Sequence, residues 1–225
     1  DNKNALKVGY SDSYELWDVS LSGTCLHVDS AISAGYHQHL DAGMPLPLAH
    51  PPAAGTQHIV TNGSFSLNLA RALTRLKAVY FVIVYASNLN QGTTFLGRTT
   101  ADLVDARTDI MNFHLQVGSQ RFPDQPATGV AEHYHRPLQA LGEDLAHDSI
   151  SLDAGRYLTN KTVYAINLER VGNEAAFSGI STMEGKTLTL TVNNAFTGTN
   201  VHNVYVFQVA DFLPNIRKGA VDINE

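Results

Sequence analysis

Residues 110–141 read IMNFHLQVGSQRFPDQPATGVAEHYHRPLQAL, and this stretch is the most informative part of the chain about its fold. It opens on an extended, alternating segment, passes through a proline-rich corner and continues into apolar residues at helical spacing. Helical spacing is scarce in the rest of the chain, where strand patterns recur. A short helix set among many strands predicts two packed sheets joined by a long connection that carries the helix.

Strand patterns run along the whole chain. We predict strands near residues 14–21, 24–29, 56–61, 64–70, 78–86, 110–117, 162–169, 186–193, 201–209 and 216–223. KTLTLTVN (186–193) alternates threonine with aliphatic residues, which predicts a strand with one face in water. AVYFVIVYA (78–86) does not alternate cleanly, which predicts a central strand covered on both faces.

The connections also carry local signals. Asn62-Gly63 is a two-residue turn signal between two strand patterns, so residues 56–70 are the best hairpin candidate. Residues 43–55 contain four prolines, which predicts a long loop because proline interrupts a regular ladder. Residues 130–141 are the predicted helix, with Thr128 as a candidate N-cap and Gly142 as a candidate C-cap.

Pro137 lies inside that predicted helix, where it removes a hydrogen bond at a cost of about 3 kcal/mol. We therefore expect the helix to kink or to break into two turns at this residue. The predicted fold class is all-β, a jelly-roll sandwich of two antiparallel sheets with one or two short helices in connecting loops. We expect residues 1–225 to form a single domain of this kind.

Composition limits the function. The chain is 44% hydrophobic and 16% charged, as in a globular protein, and its net charge of −6 argues against a general nucleic-acid binder. It has no run of 18 apolar residues, so no membrane span is predicted. The single cysteine, Cys25, cannot form an internal disulfide and is expected to be a small core residue. The chain opens on polar DNKN without an initiator methionine, as expected of a piece of a longer polypeptide.

Two histidine groups are candidate metal ligands. On a strand, His37 and His39 would lie on the same side, a spacing found in cupin metal sites. No glutamate follows between His39 and His58, so a loop or surface pair is favoured over a metal site. In the segment Glu132-His133-Tyr134-His135, two histidines at this spacing on a helix are about 200° apart. Core and capping roles are therefore favoured there.

Neither a nucleophile elbow, a P-loop nor a dinucleotide-binding fingerprint is present, so we expect no enzyme activity, no cofactor and no bound metal. Arg71, Arg75 and Lys77 form a small basic cluster. A phosphate or partner contact is one interpretation of this cluster, and a solvated face is the other.

Several stretches, taken in their order, carry a resemblance to a known family: DVSLSGTCLHVDSAI (18–32), FSLNLARALTRLKAVYFVIV (65–84), HLQVGSQRFPDQP (114–126), TVYAINLERVGNEAAFSGISTMEGKTLTLTVNN (162–194) and VYVFQVADFLPNIRKGAVDI (204–223). Together they resemble the C-terminal jelly roll of double jelly-roll major capsid proteins, the lineage of large DNA viruses, virophages and Polinton-type elements. Phe177-Ser178-Gly179 stands at the bend of the fourth stretch, which is the most specific. The resemblance covers nearly the whole chain.

The resemblance implies a structural protein of the virion capsid, assembled inside the host cell into trimeric, pseudo-hexagonal capsomers of an icosahedral shell. Each subunit would stand two barrels upright, so this chain would be the C-terminal half of a longer one. The implied partners are further copies in the homotrimer, neighbouring capsomers, and penton and minor capsid proteins, without direct nucleic-acid contact. The candidate subunit contacts are Met44, Leu46, Leu48, Arg75, Arg121 and Phe122.

Two other functions are compatible with the sequence. A jelly-roll carbohydrate-binding module or lectin would stack sugar rings on exposed aromatic residues, whereas Trp17 lies in a strand pattern that predicts burial. A cupin-like metalloenzyme would hold a stoichiometric metal on His37 and His39.

Overall fold

The computed structural model describes residues 27–44, 46–47, 53–86, 110–141, 157, 162–169, 179–183, 186–210, 215–217 and 220–222. The elements follow the order α1 (Ser30–Asp41), β1 (Leu46–Pro47), β2 (Ala53–Val60), β3 (Phe65–Asn68), β4 (Leu76–Tyr85), β5 (Asn112–Val117), β6 (Gln120–Thr128), α2 (Gly129–Leu141), β7 (Tyr164–Asn167), β8 (Leu188–Asn193), β9 (His202–Ala210), β10 (Asn215–Arg217) and β11 (Ala220–Asp222). Neither helix in this part of the chain has the length and apolarity needed to cross a membrane.

Two four-stranded antiparallel sheets form the sandwich. Their strand orders are β2-β9-β4-β7 and β3-β8-β5-β6, and a small third sheet has the order β1-β10-β11. In the two large sheets the chain changes sheet at every connection between consecutive strands except the β5–β6 hairpin. This interleaving of eight strands is the jelly-roll arrangement, so the predicted fold class is confirmed.

The inner faces of the two large sheets bury one apolar core. On β8, Leu188, Leu190 and Val192 are buried while the two intervening threonines are half-buried, which confirms the predicted strand with one wet face. Strand β4 lies between β9 and β7, and Phe81 and Ile83 on its inner face are fully buried. The prediction of a central strand is therefore confirmed.

The predicted hairpin over residues 56–70 is wrong. Strand β2 pairs with β9 along its whole length, whereas β3 pairs with β8 in the other sheet. Asn62 and Gly63 still form a turn, in which the Asn62 side chain accepts a hydrogen bond from the Ser64 N–H (3.1 Å). The turn reverses the chain direction, but the burial of each strand's apolar face decides which sheet it joins.

Other predicted strands and loops also need correction. Strand β6 was not predicted because Pro123 and Pro126 interrupt its sequence, but it is an edge strand, where proline is tolerated. The predicted loop at residues 43–55 contributes β1 and the start of β2. The predicted strand 216–223 forms parts of two short strands, β10 and β11. The predicted strand 14–21 lies outside the described residues.

Of the predicted strand near residues 24–29, only residues 27–29 are described, and they form no strand. Helix α1, which was not predicted, begins directly after them at Ser30. The Asp29 side chain caps this helix by accepting a hydrogen bond from the Ala31 N–H (3.0 Å). An N-cap of this kind is a sequence signal for a helix start. The helix was missed because its sequence, SAISAGYHQHLD, contains a glycine and few residues that strongly favour helix.

The predicted helix at residues 130–141 is confirmed as α2, but the predicted break is wrong, since α2 runs through Pro137 as one helix. Pro137 has no N–H to donate to the carbonyl group of His133 one turn earlier. The Tyr157 hydroxyl donates to that carbonyl oxygen instead (2.8 Å). A hydroxyl from outside the helix thus satisfies the acceptor that the proline leaves open.

Because the Tyr157 hydroxyl replaces the N–H that Pro137 lacks, mutations at these two residues should have coupled effects on stability. Tyr157→Phe should lower the free energy of unfolding by about 1–3 kcal/mol, because it leaves a buried carbonyl without a donor. In a Pro137→Ala background a helical N–H is available, so the same change should cost less. A double-mutant cycle in urea measures the coupling.

Tyr80→Phe is the matched control, because the Tyr80 hydroxyl donates to the Ala140 carbonyl on the same helix (3.0 Å). Its cost should be the same with Pro137 or with Pro137→Ala. If the effects of Tyr157→Phe and Pro137→Ala are additive, the proposed replacement of the donor is wrong.

A second prediction concerns Gly63, whose carbonyl accepts a hydrogen bond from the Ala195 N–H (2.8 Å). A Cβ atom at residue 63 would overlap the carbonyl oxygen of Phe196. We expect Gly63→Ala to lower the free energy of unfolding by about 2 kcal/mol or more, measured by denaturant titration.

Gly35→Ala on α1 is the control for that experiment, because a Cβ there meets no atom within 4 Å. Alanine favours helix over glycine by about 1 kcal/mol, so this variant should be as stable as the wild type or slightly more stable. A Gly63→Ala protein with wild-type stability would contradict the close approach of the two chain segments.

Candidate functional site

The histidine pair lies on a helix, not on a strand. His37 and His39 belong to α1, where residues two positions apart point about 200° apart around the axis. The interpretation of these residues as a cupin-like strand pair is therefore wrong. Across the described residues, no group of three His, Cys, Asp or Glu side chains is placed to hold a metal ion.

The Glu132–His135 segment has the predicted core and capping roles. Glu132 accepts hydrogen bonds from the Thr128 N–H (2.8 Å) and from Arg136 (2.6 Å), so it ties the start of α2 to the end of β6. Burial alone would raise the pKa of Glu132, but the hydrogen bonds from Arg136 and Thr128 hold that pKa below its usual value. His133 is buried, and its ring packs against Phe113 with centroids 5.1 Å apart.

Three of the candidate subunit contacts precede β2. Met44 follows α1 and keeps 48% of its surface exposed. Leu46 belongs to β1, which pairs antiparallel with β10 and places Leu46 opposite Ile216. Leu48 lies outside the described residues. Of the three, Met44 is thus the one whose described side chain is available for a contact.

The other three candidates lie on the sandwich. Arg75 is half-buried in the segment before β4, where the backbone of Gly179 approaches it closely. Arg121 is exposed on β6, and the neighbouring Phe122 is half-buried and packs partly against the core. Part of Phe122 is therefore already engaged inside the molecule. The role of all six residues as subunit contacts stays a prediction.

Arg121 and Phe122 line an open cleft of about 620 Å³ beside the β5–β6 turn. The other lining residues are Ser119, Gln120, Asp124, Asn167, Leu168, Glu169 and Ile180. The cleft combines one guanidinium, two carboxylates and an apolar floor. Neither histidine nor cysteine is among these lining residues.

The predicted basic cluster is not a patch of three unpaired cations. Lys77 on β4 forms an ion pair with Glu169 (2.7 Å), which lies just after the end of β7. Arg71 and Arg75 lie in the irregular segment before β4, and the residues there form no helix. The Lys77–Glu169 pair contributes to the sandwich itself, which weakens the interpretation as a phosphate site.

Sequence reasoning missed several exposed apolar residues. Ile32 and Tyr36 on α1 keep 52% and 51% of their surface exposed. Together with Leu40 and Met44 they are spaced four residues apart, a signal that a helical interpretation of this segment would have revealed. Ile59 on β2 and Phe207 on β9 are exposed as well, at 70% and 41%.

His114 on β5 is a buried titratable group. Burial, and to a smaller extent the positive charge of Arg121, hold the pKa of His114 below its usual value. Its Nδ1 atom has no hydrogen-bond partner in the described part of the chain. The folded protein therefore favours the neutral imidazole.

This shift predicts a loss of stability in mild acid. The unfolded chain protonates His114 near its ordinary pKa of about 6.5, whereas the folded protein resists protonation. The contribution of His114 is thus present above about pH 6.5 and is lost as the pH falls through its folded pKa. Urea titrations from about pH 7.5 to about pH 5 should show a steeper loss for the wild type than for His114→Gln.

The control variant is His37→Gln, which replaces an exposed histidine on α1. Parallel curves for the wild type and His114→Gln would show that His114 does not resist protonation in the folded protein.

Three comparisons place this geometry among known proteins. No protein-family model matches the chain, and no curated protein sequence matches it at a significant level. Among solved structures, VP54 of PBCV-1, fitted into a reconstruction of the virophage Sputnik, matches with a TM-score of 0.57 and 12% sequence identity. That match covers 88% of this chain and 55% of VP54.

Two further solved structures are similar to the chain at lower scores. The major capsid protein P2 of bacteriophage PM2 has a TM-score of 0.39 and 10% identity, with 72% of this chain and 45% of P2 covered. A quasi-atomic model of the PBCV-1 capsid has a TM-score of 0.46 and 14% identity, with 84% and 54% covered.

The chain thus spans about half the length of the solved structures that it matches. VP54 is a double jelly-roll major capsid protein, and the match at a TM-score of 0.57 confirms the expected resemblance at the level of the fold. The chain has the jelly-roll fold of the double jelly-roll major capsid proteins.

Proposed function

We propose that this chain is a structural protein of a viral capsid. The observation that carries the proposal is the shared fold, which extends over 88% of this chain and joins it to VP54. The interleaved strand orders of the two large sheets support it, because they define a jelly roll rather than a generic sandwich. The protein would act by assembly and would have no enzyme activity.

The chain would be one jelly roll of a double jelly-roll subunit. It corresponds to 55% of the length of VP54, which leaves room in such a subunit for a second barrel of similar size. The order of the sequence stretches resembles the C-terminal jelly roll, so residues 1–225 would be that half. Three subunits, each with two upright barrels, would give a capsomer of hexagonal outline.

The surface of the sandwich suits such an assembly. Exposed apolar residues lie on α1 and on the outer face of β2 and β9, and the cleft beside Arg121 offers charged groups next to an apolar floor. Interfaces between subunits combine these features, with apolar groups at the centre and polar groups at the rim. The partners would be further copies, neighbouring capsomers, and penton and minor capsid proteins in the virion shell, assembled inside the host cell.

The proposal predicts the mass and the shape of the particle in solution. Light scattering on the complete polypeptide that contains this chain should give the mass of three subunits. Electron microscopy of the same chromatographic peak should show three-fold particles with a hexagonal outline. The reason is that six barrels of similar size, two from each subunit, fill one ring.

A monomer or a dimer at the highest soluble concentration would contradict the trimeric capsomer. The control is the same measurement at several protein concentrations, which separates a defined trimer from open-ended association, since only the latter gives a mass that grows continuously. A monomer that binds glycans in a subsequent screen would favour the carbohydrate-binding alternative.

A further inference from the structure

Helix α1 presents an apolar stripe to solvent. Ile32, Tyr36 and Leu40 lie within about 80° of one another around the helix axis, and Val28 and Met44 extend the stripe beyond both helix ends. None of the twelve residues of α1 is buried. A helix of this length is marginally stable by itself in water, so its stability depends on a surface that covers the stripe.

The outer face of strands β2 and β9 is a second exposed apolar surface. The register of this pair places Gly55 opposite Phe207 and Ile59 opposite Asn203. The Phe207 ring lies over Gly55, with its Cε1 atom 3.3 Å from the position that a Cβ atom would occupy. The remaining outer-face residues of the two strands are Ala53, Gln57, Tyr205 and Val209, so no residue of this face is charged.

The outer face of the other large sheet shows what a solvent-exposed sheet of this protein looks like. There Ser66 contacts Thr191 through their hydroxyl groups (3.2 Å), and Thr189 donates to the Asn68 side chain (3.0 Å). Hydroxyl and amide groups line that face. The face formed by β2 and β9 carries Ile59, Tyr205 and Phe207 around a single pair of amides, in which Gln57 donates to the Asn203 side chain (2.9 Å). The apolar character of one outer face is therefore a local feature and not a property of both sheets.

The two apolar surfaces fit each other. Helix α1 is about 18 Å long at its rise per residue, and the eight residues of β2 span about 26 Å. A helix packed on a sheet is one of the stable layer arrangements of proteins. Both surfaces are free of charge at their centres, so their contact would bury no unpaired ion.

Within one copy the two surfaces do not cover each other, because Ile32 and Ile59 are exposed at the same time. We propose that α1 of one copy packs its Ile32–Tyr36–Leu40 stripe on the outer face of β2 and β9 in a neighbouring copy. Each copy then supplies one helix and accepts another. A contact of this head-to-tail kind closes into a ring when the rotation between copies allows it, as in a trimer.

This docking rests on the proposed function, because it is the proposed capsomer that brings several copies of the chain side by side. It goes beyond that function because it assigns the contact to two defined surfaces. Met44, a candidate subunit contact from the sequence, would lie at the end of the docked stripe. Aromatic residues and methionine are enriched at the centres of protein interfaces, and the two surfaces supply Tyr36, Phe207 and Met44.

Cysteine cross-linking between two differently tagged copies of the chain tests the contact. Both copies carry Cys25→Ser, which removes the only cysteine. One copy also carries Ile32→Cys or, in a second preparation, Tyr36→Cys, and the other carries Ile59→Cys. After mixing and mild oxidation, the proposal predicts several-fold more disulfide-linked pairs of unlike tags than in the controls.

The controls move one cysteine to a face outside the proposed contact. Gln38→Cys lies on the opposite side of α1, and Ser66→Cys lies on the polar outer face of the other sheet; both residues are exposed. Circular dichroism of every variant checks that the helix and the sheets are retained. The cysteines are introduced at exposed residues, namely Ile32, Tyr36, Gln38, Ile59 and Ser66, so the fold should tolerate them. The protein with Cys25→Ser alone is the reference for each variant.

The outcomes separate the contact from the proposed function. Cross-links no more frequent than in the controls would overturn the docking, even if the complete polypeptide is a trimer. A chain that carries both Ile32→Cys and Ile59→Cys and links only within itself would also overturn it. Cross-linked pairs of unlike tags, together with a complete polypeptide that is not trimeric, would keep the docking and overturn the trimeric capsomer.

Discussion

The contact between Phe81 and Phe113 joins the two large sheets across the core. Phe81 belongs to β4 and Phe113 to β5, and their rings meet edge to face across the core with centroids 5.1 Å apart. Such a pair adds about 0.5–1.5 kcal/mol to the burial of its area. Tyr164 of β7 stacks on Phe81 at 4.9 Å, and His133 brings α2 against Phe113 at 5.1 Å. One aromatic cluster therefore joins both sheets and the helix that connects their edge strands.

Seven of the eight strands in the two large sheets could be predicted from the sequence, but their pairing partners could not. The alternation of KTLTLTVN reflects only this strand and its single solvent-facing side. The local pattern was therefore enough to identify β8. The choice between a hairpin and a change of sheet at Asn62-Gly63 depends on the apolar face that each strand buries far along the chain, against β9 and β8. A two-residue turn signal contains no information about those distant partners. The jelly-roll class was predicted from the many short strands and their long connections, but that pattern did not assign β2 and β3 to different sheets.

The candidate site was harder to predict, because the structure of its helices and strands departs from local sequence preferences and depends on contacts with distant parts of the chain. Pro137 suggested a broken helix, but the Tyr157 hydroxyl replaces the missing donor from a distant point in the chain. The prolines in β6 argued against a strand there, but β6 lies at the edge of its sheet, where proline is tolerated. Helix α1 has weak propensity and exposes its apolar residues, so neither composition nor burial within one chain marks it as a helix. Met44 was selected as an apolar loop residue, and only the helix before it shows that it continues a stripe.

The inner and outer faces of the two large sheets are under different constraints. The inner faces of all eight strands are buried in the core, so the requirements of core packing determine which residues they carry. An outer face is free to be polar, as Ser66, Thr189 and Thr191 demonstrate on one sheet. An apolar outer face brings no benefit to a single folded chain and exposes it to unwanted association. The exposed Ile59 and Phe207 on β2 and β9 therefore support the proposed docking surface, whose partner would be a neighbouring copy.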